Sequence, residues 1–520
     1  MSKKRKVSFK YYNQEMQHIF PPSLEELIND GSPIYLINEI IEKLDLRDLY
    51  SAYEGGGCSP YHPKMLLKVV VYGYLNNIYS SRNLEKVVKR DIEFMYLANF
   101  QQPTHNTINR FRGERLRDII EGIFKQIVLE LVERGYISLE RISLDGTKIE
   151  ANANKYTFTW KKMIQYHRGQ LVENLRELME YCDSINKKEE QIGAEINLDI
   201  TSEEIKEIAT KIKTKLSENP EASPKMKAKA KKAVEEYPER NTEYLEKLEI
   251  LGERNSYSKT DNEATFMRTK EDHVKNSSLK PCYNLQISTT EQVIVNYSLH
   301  QNAADTTTLP KHLTKLKDMY GEMPREVIAD AGYGSEENYQ FMEEENIEPY
   351  VKYNTYYEEK KGKNKKIFDS SKLFYNEEQD FYVCPMGQRM AKVGERKKKT
   401  ETGYEQKTKR YEAQNCNNCP LKGKCYKGEG NRIIERNERL NKHREKAKSL
   451  LDSEKGVEYQ NKRRIDVETV FGNIKRNKRF RQFSMRGLIK CGIEMGLISI
   501  AHNITKLIGF TFRNKNLKLA

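Results

Sequence analysis

The chain has 520 residues, of which 37% are hydrophobic and 32% are charged. That length is enough for roughly two to five domains with cores of their own. The most apolar stretch, residues 488–510, contains two lysines, a glutamate and a histidine, which a lipid-spanning helix would not tolerate. Residues 1–6 are polar and basic, unlike a secretory signal, and eight cysteines are too few for a disulfide scaffold. We therefore expect a cytoplasmic protein with no membrane segment.

The chain is basic. It has 90 Lys and Arg against 76 Asp and Glu, a net charge of +14 and a pI near 9.0. Such a balance favours a polyanionic partner, nucleic acid first. The alternative is that Lys, Asn, Ile and Tyr are simply abundant, as AT-rich coding would make them. Charge alone does not decide between the two, so the argument needs a site.

The pattern of residues 1–135 predicts an all-helical N-terminal domain. Two short helix candidates, at 81–90 and 103–112, are joined by a loop, and the second ends in Arg110 and Arg112. A helix-turn-helix would place such a helix in the major groove of DNA, which makes both arginines DNA-binding candidates. The alternative is an ordinary helical hairpin with solvated arginines.

Strand and helix patterns alternate in the middle of the chain. Residues 141–150 alternate apolar and polar side chains and predict a strand, whereas residues 160–255 are charged, with Leu and Ile at helical spacing, and predict a protruding helical hairpin. Residues 282–355 predict strands and helices in turn. Within them Asp305 is expected to cap a helix, and a strand over 326–330 ends in a glycine-rich turn.

These patterns divide the chain into a body and two insertions, and they predict an α/β fold. The strands and helices of residues 136–159 and 256–355 form the core. Residues 160–255 are a charged helical insertion. Residues 356–445 are a basic, tyrosine-rich insertion, irregular or β, with four of the cysteines, and residues 446–520 are C-terminal helices.

Three carboxylates are placed where they can meet. Asp145 lies on the first strand, Asp330 at the end of a later one, and Glu468 on a C-terminal helix. Neighbouring strands lie about 4.8 Å apart, so aspartates on adjacent strands can share cations, and a helix across the sheet edge could add the third ligand. Hard ions such as Mg²⁺ prefer oxygen ligands, and two of them about 3.5–4 Å apart can clamp a phosphodiester. We predict a site for two Mg²⁺ ions, with Mn²⁺ as a substitute.

The helix around Glu468 adds two cations. Arg464 and Lys475 are offset from Glu468 by −4 and +7, which places them on one face of an α-helix as phosphate contacts. Asp466 would point away from that face and is left out of the site. The alternative is an amphipathic helix whose Glu and Lys merely pair at the surface, a reading that the two aspartates make much weaker.

Several segments in one order resemble bacterial insertion-sequence transposases of the DDE superfamily, most closely the group named for insertion sequence eleven-eighty-two. The segments are Ser143-Leu-Asp-Gly-Thr-Lys-Ile-Glu-Ala-Asn-Ala-Asn-Lys, Tyr283-Asn-Leu-Gln, Ala329-Asp-Ala-Gly-Tyr, Val467-Glu-Thr-Val-Phe-Gly-Asn-Ile-Lys and Met485-Arg-Gly-Leu. In the wider class the Glu helix often reads Tyr-x2-Arg-x3-Glu-x6-Lys. Here Asn461 stands where that pattern has tyrosine, and Tyr459 lies two residues upstream.

The resemblance implies a ribonuclease-H-like mixed-sheet core and a two-metal site of Asp145, Asp330 and Glu468. It implies cleavage and strand transfer at the terminal inverted repeats of an insertion sequence, joining them to target DNA. The enzyme would be cytoplasmic, associated with the nucleoid when bound to DNA, and a homodimer in its active complex. Alternatives are a hydrolytic DNA nuclease with the same core, or a non-catalytic DNA-binding protein descended from a transposase. Asp261 and Glu263 lie in another stretch that resembles the family, and we expect them to cap a helix or turn.

The cysteines of the second insertion form a candidate zinc site. Cys384, Cys416, Cys419 and Cys425 lie in two turn-like segments about thirty residues apart. Four thiolates could bind a structural Zn²⁺ that orders a segment poor in apolar residues. Free reduced cysteines and redox chemistry are the alternatives. The sequence contains no G-x-x-x-x-G-K-[ST] phosphate loop, so ATP need not be consumed.

Overall fold

A computed structural model of the protein describes residues 23–53, 59–186, 192, 194–269, 278–361, 367–400 and 402–517. The basic residues 1–6 lie outside the described residues. The chain forms two compact units, Met1–Leu116 and Arg117–Ala520. Within the described ranges, no helix has both the length and the apolar character that crossing a bilayer requires.

Short helices make up the N-terminal unit, and their apolar faces form its core. Ile34, Leu67 and Phe94 are among the side chains buried there. In chain order the helices are α1 (Leu24–Leu27), α2 (Pro33–Lys43), α3 (Arg47–Ser51), α4 (Pro63–Leu75), α5 (Ser81–Val88), α6 (Ile92–Ala98) and α7 (His105–Arg110).

The two helices predicted at 81–90 and 103–112 are present as α5 and α7, but a further helix, α6, separates them. Asp91 starts α6, because its carboxylate accepts the backbone N–H groups of Glu93 and Phe94 at 3.0 and 3.2 Å. Thr104 caps α7 in the same way. The expected two-helix arrangement with a simple loop is therefore wrong: an N-cap aspartate begins a helix where we predicted a loop.

The second unit contains the six-stranded, five-stranded and two-stranded sheets of the described residues and both insertions. Its helices are α8 (Ile120–Glu133), α9 (Lys161–Ile185), α10 (Ser202–Glu218), α11 (Pro224–Leu251), α12 (Leu309–Tyr320), α13 (Glu336–Glu344), α14 (Tyr356–Lys360), α15 (Glu438–Asp452), α16 (Glu454–Arg463), α17 (Thr469–Gly472) and α18 (Leu488–Leu517). Its strands are β1 (Arg141–Glu150), β2 (Phe158–Trp160), β3 (Ser256–Ser258), β4 (Thr265–Arg268), β5 (Leu279–Thr290), β6 (Val293–His300), β7 (Glu326–Ala329), β8 (Glu348–Val351), β9 (Tyr375–Asn376), β10 (Phe381–Val383), β11 (Arg389–Lys399), β12 (Glu405–Ala413) and β13 (Ile433–Arg436).

A mixed sheet forms the centre of this unit. Its strand order is β4-β5-β1-β7-β8, with β6 pairing on β5. β5 runs antiparallel to β1, whereas β7 and β8 run parallel to β1 and to each other. The predicted strands at 141–150 and 326–330 are thus neighbours, and because they are parallel their carboxyl ends lie at the same edge of the sheet.

Two helices cover β6, one from each end of the unit. The ring of Phe124 on α8 packs edge-to-face on Tyr297 with centroids 5.2 Å apart. From α18, the amide of Asn503 accepts the N–H of Ile294 at 2.9 Å and donates to its carbonyl at 2.8 Å. α8 therefore belongs to the sheet-containing unit, although our sequence division placed residues 1–135 together.

The first insertion leaves the core and returns at one place. β2 and β3, at its two ends, pair antiparallel, with Thr159 opposite Tyr257. Between them α9, α10 and α11 bury a separate apolar cluster that includes Leu175, Ile205 and Ile212. Three helices thus stand within the described part of residues 161–251, where we predicted a hairpin.

The second insertion is an antiparallel sheet of order β13-β12-β11-β10-β9. Tyr382, Met390 and Tyr411 form the core at its root. We predicted an irregular or β segment here, and its described residues form this sheet, with Tyr375 packed against the three core side chains.

His502 on α18 gives a pH-dependent contribution to stability. Its Nε2 donates to the Gln292 carbonyl at 2.8 Å, and its Nδ1 lies 3.0 Å from the Asn473 amide, which leaves no room for a second proton. Burial, with a smaller contribution from Lys506 and Lys478, lowers the pKa of His502 to about 4.

We expect His502→Gln to reduce the loss of stability on acidification. An unfolded histidine titrates near pH 6.5, so the folded state loses stability as the pH falls from 6.5 towards 4, by about 2 kcal/mol at pH 5 for this residue. Gln can keep both hydrogen bonds without titrating. The measurement is the fall in Tm between pH 7 and pH 5, which should be smaller in the variant. An equal fall in both proteins would contradict the assignment.

Candidate active site

Asp145, in the middle of β1, and Asp330, just after β7, converge where the pairing of these two strands ends. Ser143 on β1 pairs with Ile328 on β7, so the same register continued by two residues sets Asp145 opposite Asp330. Nη2 of Arg463 lies 3.2 Å from Oδ2 of Asp145 and 4.0 Å from Oδ2 of Asp330. The structure therefore brings together the two aspartates that the sequence predicted, around one guanidinium.

Both aspartates can be reached from outside the protein. The side chain of Asp330 is 41% exposed and that of Asp145 is 19% exposed, against 7% for Arg463. Asp330 follows the last residue of β7 and accepts the Gly332 N–H at 2.9 Å, which caps a short 3₁₀ turn over Ala331–Tyr333. The turn fixes this carboxylate at the strand end.

Arg463 is the functional candidate that sequence reasoning missed. It ends α16, and its Nε also donates to the Leu144 carbonyl at 3.4 Å. A buried guanidinium between two carboxylates offsets their mutual repulsion. The signal was present in the sequence, because Arg463 shares the buried helical face of Val467, Val470 and Ile474 at spacings of +4, +7 and +11.

The segment that carries Glu468 is not a regular α-helix. Residues Arg464–Glu468 and Asn473–Asn477 are π-helical, with α17 between them. The one-face prediction for Arg464, Glu468 and Lys475 assumed 3.6 residues per turn throughout and is wrong in that respect, since π turns bond i to i+5. Arg464 and Glu468 are exposed, whereas Lys475 is half-buried.

Asp466 lies on the inner side of this segment. It is only 5% exposed, and Ser143 of β1 contributes a hydrogen bond to its carboxyl group. Burial, reinforced by Glu291, raises the pKa of Asp466 to about 6, although Lys462 and Arg141 act in the opposite sense. Asp466 therefore belongs to the contact between this segment and β1, while Glu468 faces solvent.

Further cations lie at the same sheet edge. Lys352 follows β8, and its backbone N–H reaches the Ala329 carbonyl next to Asp330 at 3.4 Å. Its ammonium lies 4.9 Å from the centre of the Tyr357 ring. Burial tends to raise the pKa of Tyr357, but Lys352 and Arg464 beside the hydroxyl outweigh it and lower that pKa. The edge that presents the two aspartates is thus electropositive around them.

A second polar network lies on the other face of β1, and sequence reasoning missed it too. Oδ1 of Asp305 accepts from Lys148 at 2.9 Å, from Asn284 at 2.8 Å and from Gln286 at 3.0 Å. Burial alone would raise the pKa of Asp305, but Lys148 and the two amides lower it below its usual value. The prediction that Asp305 caps α12 is wrong, because Thr308 occupies that position and Asp305 is drawn to Lys148.

Among the residues that the structure describes, no group of three or more His, Cys, Asp or Glu side chains is placed to hold a metal ion. Glu468 therefore does not join Asp145 and Asp330 in a ready three-carboxylate cluster in this structure. The chemistry that the arrangement itself supplies is a pair of carboxyl groups, held by a buried cation at an accessible, electropositive edge.

The two arginine candidates of the N-terminal unit differ. Arg110 is exposed at the end of α7. Arg112 is only 3% exposed, and its Nη1 donates to the Tyr74 hydroxyl at 2.9 Å and to the Tyr79 carbonyl. Arg112 ties α4 to the π turn over Phe111–Arg115, so its prediction as a DNA contact is corrected to a packing role, and Arg110 remains a candidate.

The cysteine candidates lie at the root of the second sheet. Cys384 accepts the Gln388 N–H at 3.3 Å, and Cys416 accepts the Arg432 N–H at 3.3 Å. Nη1 of Arg432 lies 2.9 Å from Sγ of Cys425. With Cys419, these are free thiols that do not form a four-thiolate cluster in the part of the chain described. A structural Zn²⁺ stays a prediction.

The prediction that Glu263 acts as a cap is confirmed. Its Oε2 accepts the N–H of Leu488, the first residue of α18, at 2.7 Å. Asp261 accepts the Tyr283 hydroxyl at 2.9 Å and lies 3.4 Å from the Gly487 nitrogen. Both acids thus fix the start of the long C-terminal helix.

Two segments of the chain match known families. Residues 383–508 match the transposase DDE domain family, and residues 22–114 match a transposase domain family, DUF772. The first segment contains Glu468, and the aspartates at 145 and 330 lie between the two segments. Comparison with curated proteins and with solved structures gave no significant match.

Gly146 beside Asp145 is required by close packing, and we expect Gly146→Ala to destabilise the fold by roughly 1–3 kcal/mol. A Cβ at this position would lie 2.4 Å from Nε2 of Gln286 and 3.0 Å from Oδ1 of Asp305. Thermal unfolding measures the effect. The control is Gly122→Ala on α8, where nothing lies within 4 Å of the added methyl group. A Gly146→Ala protein as stable as the control would show that this network is not tightly packed.

Proposed function

We propose that Asp145, Asp330 and Glu468 are the catalytic carboxylates of this protein, a DDE-type DNA transposase of the insertion-sequence kind. The enzyme cleaves DNA strands at the inverted-repeat ends of its element and transfers them to target DNA by phosphoryl transfer. We place it with the group named for insertion sequence eleven-eighty-two, acting in the cytoplasm on nucleoid DNA.

One observation carries the assignment: carboxylates from two neighbouring parallel strands meet at one guanidinium on an accessible sheet edge. The mixed order, with β5 and β6 antiparallel beside β1 and with β7 and β8 parallel to it, supports a ribonuclease-H-like core. A helical segment packed on β1 then carries Glu468 five residues after Arg463. Chain order and topology together favour this set over other acids of the unit.

The donor set fits hard divalent cations. Two aspartate carboxyl groups converge, and a third carboxyl group is exposed on the adjoining segment, so Asp145, Asp330 and Glu468 would hold two Mg²⁺ ions, with Mn²⁺ as a substitute. Cations held there supply Lewis acidity to the scissile phosphate and lower the pKa of an attacking water or 3′-hydroxyl. Among the described residues, Nη2 of Arg463 has ion pairs but no aligned hydrogen bond, and this buried N–H supports a further oxygen ligand at the site.

The protein's own cations orient the DNA. Arg464 and Lys475 contact phosphates near the scissile bond, and Arg110 contributes a contact from the N-terminal unit. Coordinated cutting of two transposon ends requires two copies of the site, so the active complex is a homodimer on double-stranded DNA. The cysteine segment is a candidate for a structural Zn²⁺ when the metal is supplied.

Asp145→Asn, Asp330→Asn and Glu468→Gln are each expected to abolish strand cleavage, with activity reduced by at least about 10³-fold. Each change removes one oxygen ligand without changing side-chain size. The measurement is Mg²⁺-dependent nicking and joining of a duplex that carries the element's terminal repeat, together with DNA binding in EDTA, which should be retained.

The matched control is Asp466→Asn, a neutralised carboxylate two residues from Glu468 that faces the sheet. It should still cut DNA. Cleavage at the wild-type rate by the Asp330→Asn protein would overturn the assignment, as would an Asp466→Asn protein that loses cleavage while Glu468→Gln retains it.

Substitutions at the neighbouring Arg463 and Arg464 should distinguish a residue that positions the aspartates from one that contacts DNA. Arg463→Gln leaves the two carboxylates without their buried counter-charge, so we expect slower cleavage and a loss of roughly 1–3 kcal/mol of stability, reduced by the exposure of both aspartates. Arg463→Lys keeps the charge and should restore part of both. Exposed Arg464→Gln should leave Tm unchanged. It should reduce the magnitude of the negative slope of log affinity against log salt by roughly 0.9.

Cleavage rate, Tm and salt slope are measured on the same preparations. If Arg463→Gln changed the salt slope and left Tm unaltered, Arg463 would be a DNA contact rather than the group that positions the aspartates. If Arg463→Lys restored nothing, charge compensation would not be its role.

A further inference from the structure

Part of the second sheet is a two-stranded ribbon that is rich in lysine. β11 and β12 pair from Met390 to Lys399, but β10 reaches only residues 389–391 and β13 reaches only residues 409–412. Within the described chain, residues 396–399 and 405–408 therefore pair only with each other; we call them the ribbon. It carries Arg396, Lys397, Lys398, Lys399 and Lys407 but one carboxylate of its own, Glu405, and Arg396 also pairs with Glu435 of β13 at 3.4 Å.

The ribbon places like charges directly opposite one another. Lys397 is the register partner of Lys407, and their side chains are 66% and 55% exposed. Both ammonium groups share one distant carboxylate, Oε1 of Glu405, at 3.9 and 3.8 Å. Directly opposed like charges destabilise a strand pair, so this arrangement costs stability within the protein. Lysines on an edge strand also prevent pairing between sheets, but that role does not require cations on both strands at one position.

The turn of the ribbon is held against the core. The Thr402 hydroxyl donates to Glu337 at 2.6 Å, and the Tyr404 hydroxyl donates to Glu336 at 3.2 Å, both on α13. Arg439 braces the same place, with Nη2 donating to the Glu405 carbonyl at 2.7 Å and Nε 3.0 Å from Glu336. The ribbon is thus fixed at its turn as well as at its root.

This anchor lies near the candidate catalytic edge. Glu336 is the first residue of α13 and follows Asp330 by six positions. Six residues of fully extended chain span at most about 20 Å. A duplex seated at Asp330 therefore passes within one or two helical turns of DNA from the ribbon's anchored turn.

We propose that the ribbon binds the phosphodiester backbone of the duplex flanking the cleavage site, with its lysines contacting phosphates. The inference rests on the proposed function for its geometry. A two-stranded ribbon fits the B-DNA major groove, about 12 Å wide. Phosphates supply counter-charge to Lys397 and Lys407, which among the described residues have only the shared Glu405 at 3.9 and 3.8 Å. Both attachments keep the ribbon in place before DNA arrives, so little conformational entropy is lost on binding.

The test compares two variants of the full chain that remove the same charge. In one, Lys397, Lys399 and Lys407 are changed to Gln. In the control, the exposed Lys225, Lys229 and Lys231 at the start of α11 are changed to Gln. Binding of a fluorescently labelled 30-base-pair random-sequence duplex is measured by anisotropy across a NaCl series in EDTA. Without divalent metal no cleavage occurs, so the outcome does not depend on the catalytic assignment.

In the ribbon variant, we expect the magnitude of the negative slope of log affinity against log salt to fall by roughly 2–3, close to 0.9 for each lost phosphate contact. The control should change this slope much less. Tm of the ribbon variant should equal or exceed that of the wild type, because the opposed charges are gone. An unchanged slope, or an equal change in the control, would overturn the proposal, whereas loss of the catalytic assignment would appear only in the cleavage assay.

Discussion

The site depends on the parallel pairing of β1 with β7, which forces two carboxylates to share one sheet edge. Asp145 and Asp330 are far apart in the chain, and bringing them together costs electrostatic energy that apolar packing cannot return. The fold offsets this cost with Arg463, a buried cation within 4.0 Å of both acids. The position of the C-terminal segment follows from that ion pair, because the helix must end where its guanidinium can reach the strands.

The need to keep β1, β7 and α16 in contact is met even though the two insertions are large. The ends of the first are held by the pairing of β2 with β3, and the second is tied to α13 through Glu336. Each insertion therefore adds its own core without pulling β1, β7 and α16 apart. Glu336 is almost fully buried at 1% exposure, yet it is paired with Arg439, as a buried carboxylate must be.

Much of this arrangement could be predicted from local sequence, and the reasons for the failures are physical. The strand at 141–150, the strand before Asp330 and the buried face of Val467, Val470 and Ile474 follow from side-chain periodicity. Arg463 was missed because cations were sought only by their spacing from Glu468, which selected Arg464 and Lys475. The π turns at 464–468 and 473–477 could not be predicted, since π-helical turns are rare and the periodicity argument assumes 3.6 residues per turn. The role of Asp305 was predicted wrongly because the sequence shows the nearby helix start. It does not show that Lys148, more than 150 positions away, lies beside Asp305 in the fold.

Like charges lie close together both at the two aspartates and on the ribbon. The two places differ in whether the protein itself or an external partner supplies the counter-charge. At the aspartates the protein supplies its own buried counter-ion, so the cluster persists in the free protein and can exchange part of its pairing for metal and phosphate. At the ribbon, Lys397 and Lys407 share one carboxylate at nearly 4 Å. A surface that keeps such repulsion in the free state is stabilised most by a partner with regularly spaced negative charge. A DNA duplex has that spacing, one negative charge for about every 1.7 Å of its axis.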